Sequence, residues 1–262
     1  YKYKSHISFN YISNNSIMCN MKNKITGGLI LIVLLVSGCS TAKPTQFNAN
    51  NTATVFIGSE NIDIPIPTGF ERASEEDKHI VQLITKPPLE YRALAVFKKK
   101  SNSPSDKYFV TVANPYKSIN TDKYISNAIF KETKRQIHKY LTSKEARDDI
   151  NSSEYKQELN KYGKITGFYM GKPSLPNRFI DHLNAVGYSY DFLVFIDTSS
   201  KTPFRALLKS SLGTITLKVK EKLLSVQVLN ISGTKNIKHI EKLSKKIANQ
   251  IFNLNNSASL IK

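Results

Sequence analysis

Apolar and polar positions follow two different periods along this chain, and each change of period marks an element. Val55, Phe56 and Ile57 lead into a Gly58-Ser59-Glu60-Asn61 turn, after which Ile62, Ile64 and Ile66 alternate with Asp63 and Pro65. This pattern predicts a β-hairpin, and its prolines, which cannot donate to a ladder, place the second arm at a sheet edge. Strands are predicted over 91–98 and 108–113, separated by the charged loop 99–107. Over 122–141 the period lengthens to that of a helix, with Ile125, Ala128, Ile129, Ile137, Tyr140 and Leu141 at spacings of three and four. Thr121 or Asp122 stands where an N-cap is needed. A more polar helix is predicted over 153–162, stopping at Gly163.

The second half returns to period two. Tyr188, Tyr190, Phe192, Val194 and Ile196 line one face of a strand over 188–196, and apolar character on both faces of 193–196 marks a strand covered on both sides. Further strands are expected over 205–211, 214–219 and 223–231, the last two joined by a tight Lys220-Glu221-Lys222 turn. The clearest element is a helix over 236–254, where Ile237, Ile240, Leu243, Ile247, Ala248, Ile251 and Leu254 make one stripe. Lys235, Lys238, Lys242, Lys245 and Lys246 crowd its other side. With no repeat or linker inside 55–255, the expectation is one α+β domain: a single antiparallel-rich sheet flanked by helices, followed by a flexible tail over 256–262.

The first 54 residues have a different organisation. The chain opens on Tyr and offers Met18 and Met21 as initiators, so residues 1–20 are read as an upstream extension. From Met21, Lys22 and Lys24 precede an apolar stretch whose uninterrupted part is 29–36, short of the roughly 20 residues a permanent span needs. It ends in Val36-Ser37-Gly38-Cys39, which resembles the lipobox of bacterial lipoproteins. The resemblance implies a signal peptide over 21–38, cleavage before Cys39, and lipid on the Cys39 sulfur. Two or three acyl chains would anchor the protein stably, at about 0.8 kcal/mol per buried methylene. By the same resemblance, Ser40 implies transfer to the outer membrane in a Gram-negative cell; in a Gram-positive cell the protein would stay on the outer face of the plasma membrane. Residues 39–54 are then a lipidated, polar tether.

The order of hairpin, strands, long helix, antiparallel strands and terminal helix is similar to the PsbP-like α/β/α sandwich, shared by photosystem extrinsic subunits, a Ran-binding family and many bacterial envelope lipoproteins. The residues that carry the likeness are Ile64-Pro65-Ile66-Pro67-Thr68-Gly69-Phe70 and Val219-Lys220-Glu221-Lys222-Leu223-Leu224, the latter followed by the helix bearing Ala248-Asn249. Bacterial members often carry Gly where Glu221 stands. The resemblance spans 55–255 and implies a fold and a binding role, without a reaction.

Charge and composition narrow the partners. The formal charge is +18. Four of the 38 basic residues and none of the 20 acidic ones precede Cys39, so from Cys39 onward the excess is +14. Such an excess suits anionic lipid, lipopolysaccharide or glycan, and export argues against nucleic acid. With Cys19 ahead of the cleavage site and Cys39 lipidated, no thiol is left to pair. No phosphate-cradling glycine loop, HExxH, CxxC or GxSxG sequence is present. His79, His138, His182 and His239 lack metal-ligand spacing, so no metal and no cofactor are expected. Asp181-His182 with Ser210 or Ser211 sketches a triad, but serines beside Gly213 near a strand end are common without catalysis. Phe168, Tyr169, Tyr188, Tyr190 and Phe192 read as packing before they read as a ligand groove. The basic helix side at Lys238, Lys242, Lys245 and Lys246 is the first candidate surface, and the loop 171–178 with Lys172 and Arg178 is the second. The expected function is a non-enzymatic, membrane-anchored envelope lipoprotein binding an anionic component or a protein partner. The alternative is an assembly factor docking on another envelope protein, and behind it a hydrolase.

Overall fold

Strands that alternate apolar and polar side chains over ten or more residues can pair along their whole length, and two of them set this architecture. The computed structural model describes residues 44–75, 77, 91–101, 107–115, 124–144, 148, 151, 153, 157, 168–171, 173–198, 204–231 and 236–256. β1 (Gln46–Asn48), β2 (Thr52–Ile57) and β3 (Glu60–Pro65) form a small antiparallel sheet in that order. The large sheet holds β4 (Phe70–Arg72), β5 (Tyr91–Lys99), β6 (Tyr108–Pro115), β7 (Phe168–Met170), β8 (Asn177–His182), β9 (Ala185–Thr198), β10 (Phe204–Val219) and β11 (Lys222–Ile231). Its strand order is β4-β5-β6-β11-β10-β9-β7, with β8 also on β9. β9 is long enough to seat β8 and β7 end to end on one edge. Every pairing is antiparallel, and with α1 (Asn127–Thr142) and α2 (Ile237–Asn256) the fold is α+β.

Register sorts the side chains of the large sheet into two unlike faces. On one, Val110, Val112, Ile215, Leu217, Leu224, Val226 and Val228 cluster with Ile240, Ile247 and Ile251 of α2. Val55, Ile57, Ile62 and Ile64 of the small sheet complete that cluster. The other face carries a smaller cluster of Val96, Phe109, Phe192, Val194, Leu212, Leu229 and Ile231. It also carries α1, whose Asn127 receives a 2.6 Å hydrogen bond from Lys218 Nζ. Ser126 caps α1, its hydroxyl accepting from the Ile129 N–H at 3.2 Å.

α2 sits close because β10 has no side chain at Gly213. A Cβ there would stand 2.7 Å from both Ile240 Cγ2 and Ser244 Oγ, inside contact distance. At its far end α2 is tied to β3, where the Asn255 side chain accepts from the Asp63 N–H at 2.9 Å and donates to the Asp63 carbonyl at 2.7 Å.

Several expectations are corrected here. The segments 205–211 and 214–219 are one strand, because Gly213 keeps ladder geometry instead of turning. Three residues of the expected tether form β1, β2 begins at Thr52, and the single sheet is joined by a second, small one. β3 is an edge strand as its prolines require, but the hairpin closes at Gly58-Ser59, with Ile57 facing Glu60. The N-cap of α1 is Ser126 rather than Thr121 or Asp122. β8 begins inside the expected loop. Residues 1–43, 76, 78–90 and most of 153–162 lie outside the described residues, and with them the signal peptide and His79.

The β10–β11 turn is two residues long, with Val219 facing Lys222. Lys220 and Glu221 both have positive φ, 44° and 58°, a conformation that suits Asn-Gly and strains residues with a Cβ. Surrounding bonds hold it: Lys220 N–H donates to Asn256 Oδ1, Ile125 N–H donates to the Glu221 carbonyl, and Glu221 pairs at 2.9 Å with the buried Lys218. Lys220→Asn is therefore expected to raise stability by roughly 1 kcal/mol. Glu221→Gly should gain less, since it removes the carboxylate from Lys218; urea unfolding midpoints compare the two. Gly213→Ala is expected to cost about 1–3 kcal/mol by pushing α2 outward, read from the same transition.

Candidate binding surfaces

The helical period that buries Ile240, Ser244, Ile247 and Ile251 turns Lys238, Lys242 and Lys246 outward, and all three are exposed. They stand one turn apart along one side of α2, and no carboxylate lies within ion-pair reach of any of them among the described residues. Like charges at this spacing repel by a few tenths of a kcal/mol, roughly 0.2–0.5 per pair. Lys245 is different: it is partly buried, with its ammonium 5.7 Å from the centre of the Phe179 ring. The single acid on this part of the helix, Glu241, points inward, accepting from Ser189 Oγ at 2.7 Å and Asn177 Nδ2 at 2.9 Å.

The second candidate cation group falls at the edge formed by α1, β8 and β9. A bulge between Arg178 and Ile180 turns Phe179 and Ile180 toward α2, leaving Arg178 and Asp181 on the α1 side. Asp181 then sits between two cations, 2.8 Å from Lys134 Nζ and 3.0 Å from Arg178. Lys134 also donates to the His182 carbonyl at 2.7 Å. Tyr188 OH meets His138 Nδ1 at 3.3 Å, and burial pushes the Tyr188 phenol up from its ordinary value. Lys172 lies outside the described residues, as do Val36, Ser37, Gly38, Cys39 and Ser40. Arg178 is thus an ion-pair partner in a latch that holds α1 to β8, and is not grouped with the α2 lysines.

The triad sketch fails on geometry. Ser211 is buried and donates to Asp191 at 2.6 Å. His182 pairs with Ala185, which faces Leu217, six residues along β10 from Ser211, a separation of roughly 20 Å. Ser210 points to the opposite face from Ser211. His239 stacks edge-on against Tyr108 at 5.6 Å. Of the aromatic set, Tyr188, Tyr190 and Phe192 line the α1 face, while the Phe168 and Tyr169 side chains lie outside the described residues. Among the described residues no group of three or more His, Cys, Asp or Glu side chains could hold a metal ion, and no helix is long and apolar enough to cross a membrane.

Sequence reasoning missed a third feature. Thr111, Ser210, Thr216, Ser225 and Gln227 are buried on the α1 face, and the Ser210 and Ser225 hydroxyls and Gln227 Oε1 have no hydrogen-bond partner among the described residues. An unmet buried oxygen costs about 1–3 kcal/mol. No protein-family model matches the chain, and no curated protein matches its sequence.

The Asp181 latch has a pH signature. The Lys134 hydrogen bond, opposed by burial and aided by the charges of Lys134, Arg178 and His138, holds its carboxyl below the ordinary Asp value of 3.8. Its contribution to stability is present above the unfolded value and is lost as pH falls through the lower folded one. The urea midpoint is expected to drop below about pH 4, and Asp181→Asn should remove part of that acid sensitivity.

Proposed function

We propose that this chain is a lipid-anchored envelope protein, without a catalytic role, whose basic α2 side lies on an anionic surface, lipid headgroups first among them. The observation that carries the reading is the ladder of Lys238, Lys242 and Lys246, exposed and without a carboxylate partner among the described residues. The anchor part rests on the lipobox-like Val36-Ser37-Gly38-Cys39, with Ser40 as the outer-membrane sorting signal. The PsbP-like fold belongs to the same reading: a helix on each side of an antiparallel sheet supports it, and the small sheet of β1, β2 and β3 is an addition to the expected plan. Tethered by its first mature residue, the domain would meet headgroups at high local concentration, so weak contacts suffice. Each lysine near an anionic leaflet contributes about 1 kcal/mol, and three together would shift the docked population about a hundredfold.

The test uses the full lipidated chain reconstituted in vesicles of phosphatidylcholine, with or without phosphatidylglycerol, and labelled by an amine-reactive reagent. Lys238, Lys242 and Lys246 are expected to be protected several-fold on the anionic vesicles, with protection lost at high salt, where the screening length falls to about 3 Å. Equal labelling on both vesicles would sink the electrostatic reading. A protein from the host envelope that crosslinks to the chain and survives high salt would then support the assembly-factor alternative.

A further inference from the structure

Among the described residues four large apolar side chains stand exposed, and three of them gather at one end of the large sheet. Tyr124, Leu183 and Leu254 are 62 %, 60 % and 52 % exposed. A near neighbour in sequence ties each of them to the β10–β11 turn or the strand leading into it. Leu183 is in the two-residue turn between β8 and β9, where the Asn184 carbonyl accepts from the Lys218 N–H at 2.9 Å. Tyr124 precedes Ile125, whose N–H donates to the Glu221 carbonyl at 2.9 Å. Leu254 is in the last turn of α2, where Asn256 Oδ1 accepts from the Lys220 N–H at 3.3 Å. The fourth, Leu175, is elsewhere. The N–H of its neighbour Ser174 donates to the Asp191 carbonyl, and Asp191 faces Ser211, six residues along β10 from Leu217, or roughly 20 Å. Apolar side chains scattered singly need no explanation, whereas three brought to one end, from beside α1, from the sheet and from α2, point to something that meets that end.

The route of the chain ahead of β1 identifies the occupant. Lys220 Nζ donates to the Asn61 carbonyl at 2.7 Å, so the β2–β3 hairpin turns at this same end. Gln46 faces Thr54 and Asn48 faces Thr52, so the residues before Gln46 come from the turn side. Thr45 is held there by its hydroxyl, which donates to the Leu94 carbonyl. The adjoining Ala93 shares a row with Ala113 and Ser225, three residues or roughly 10 Å from Lys222. From Thr45 back to Cys39 is six residues, which span at most ~20 Å when fully extended. Lipid on Cys39 would therefore keep this end of the sheet close to the bilayer. We infer that this end is seated in the bilayer surface, with Tyr124, Leu183 and Leu254 below the headgroups. A tyrosine suits the headgroup level, with its ring apolar and its hydroxyl wet, and the leucines suit the acyl boundary. The inference shares with the preceding reading only the lipid on Cys39, because insertion needs no anionic lipid. Since Leu254 is on α2, the lysine ladder can meet the same leaflet when α2 leans toward it.

The test labels Leu183→Cys and Leu254→Cys, each the only free thiol of the lipidated mature chain, with an environment-sensitive fluorophore. The vesicles are phosphatidylcholine, part of it brominated on the acyl chains. Both labels are expected to shift to the blue and to be quenched about twofold, as for groups about 5–10 Å into the boundary of headgroups and acyl chains. Quenching should persist at high salt, where screening removes the lysine contacts. The same label at Leu175→Cys, an equally exposed position, should show neither effect. Quenching no greater at 183 and 254 than at 175, in chains that float with the vesicles, would overturn the seat and leave the anchor standing. A blue shift without quenching would mean that a second copy covers this end, and would overturn it too. Chains that do not float would overturn the anchor and this inference together.

Discussion

α2 can come only as near the large sheet as the side chains between them allow, and at Gly213 there is no side chain. The helix backbone at Ile240 and Ser244 descends onto β10 there, with a Cβ-sized gap already filled by their own atoms. From that depth Ile240, Ile247 and Ile251 reach the residues of β6, β10 and β11, and the small sheet can close over the same core. The seat also fixes the helix's rotation. Glu241 is brought over Ser189 and Asn177, Asn255 meets the backbone of Asp63, and Lys238, Lys242 and Lys246 are left facing outward. The basic ladder is thus a consequence of packing on the other side of the helix, since a different rotation would bury part of it.

The two faces of the sheet are held by different forces. On the α2 side the contacts are aliphatic and close, and burial of this kind scales with area at roughly 25 cal/mol per Å². On the α1 side the helix is fastened by Asn127 to Lys218, Lys134 to Asp181 and His138 to Tyr188. Partly exposed ion pairs and hydrogen bonds contribute little each, about 0–1 kcal/mol, and depend on pH and salt. α1 is therefore the element whose docking responds to conditions, while α2 moves only if the core does.

Much of this was legible because burial and exposure on α2 follow one period. The spacing of Ile240, Ile247 and Ile251 that marks a helix also predicts where Lys238, Lys242 and Lys246 point, and the structure agrees. The proline-bearing arm at 62–66 was rightly placed at an edge for an equally local reason, the missing N–H. The pattern divides β10 at 212–213, and glycine in a strand signals either a turn or a close approach, between which only the partner helix, distant in sequence, decides. β8 was missed because its bulge puts Phe179 and Ile180 on one face and spoils the alternation that marks a strand.

The polar row on the α1 face was hidden by the rule that served elsewhere. Along 211–219 the alternation of Ser211, Gly213, Ile215 and Leu217 with Leu212, Thr214, Thr216 and Lys218 reads as one covered side and one wet side. The structure instead covers both: Thr216 and Lys218 are each 7 % exposed, and across the ladder Ser225 and Gln227 are buried with them. Alternation reports the chemistry of a face, and burial depends on what is laid against it. When a cover comes down on a polar face, each group beneath it must find a partner or carry the cost of lacking one. Lys218 has found Asn127 and Glu221, whereas the Ser225 hydroxyl and Gln227 Oε1 have found none among the described residues.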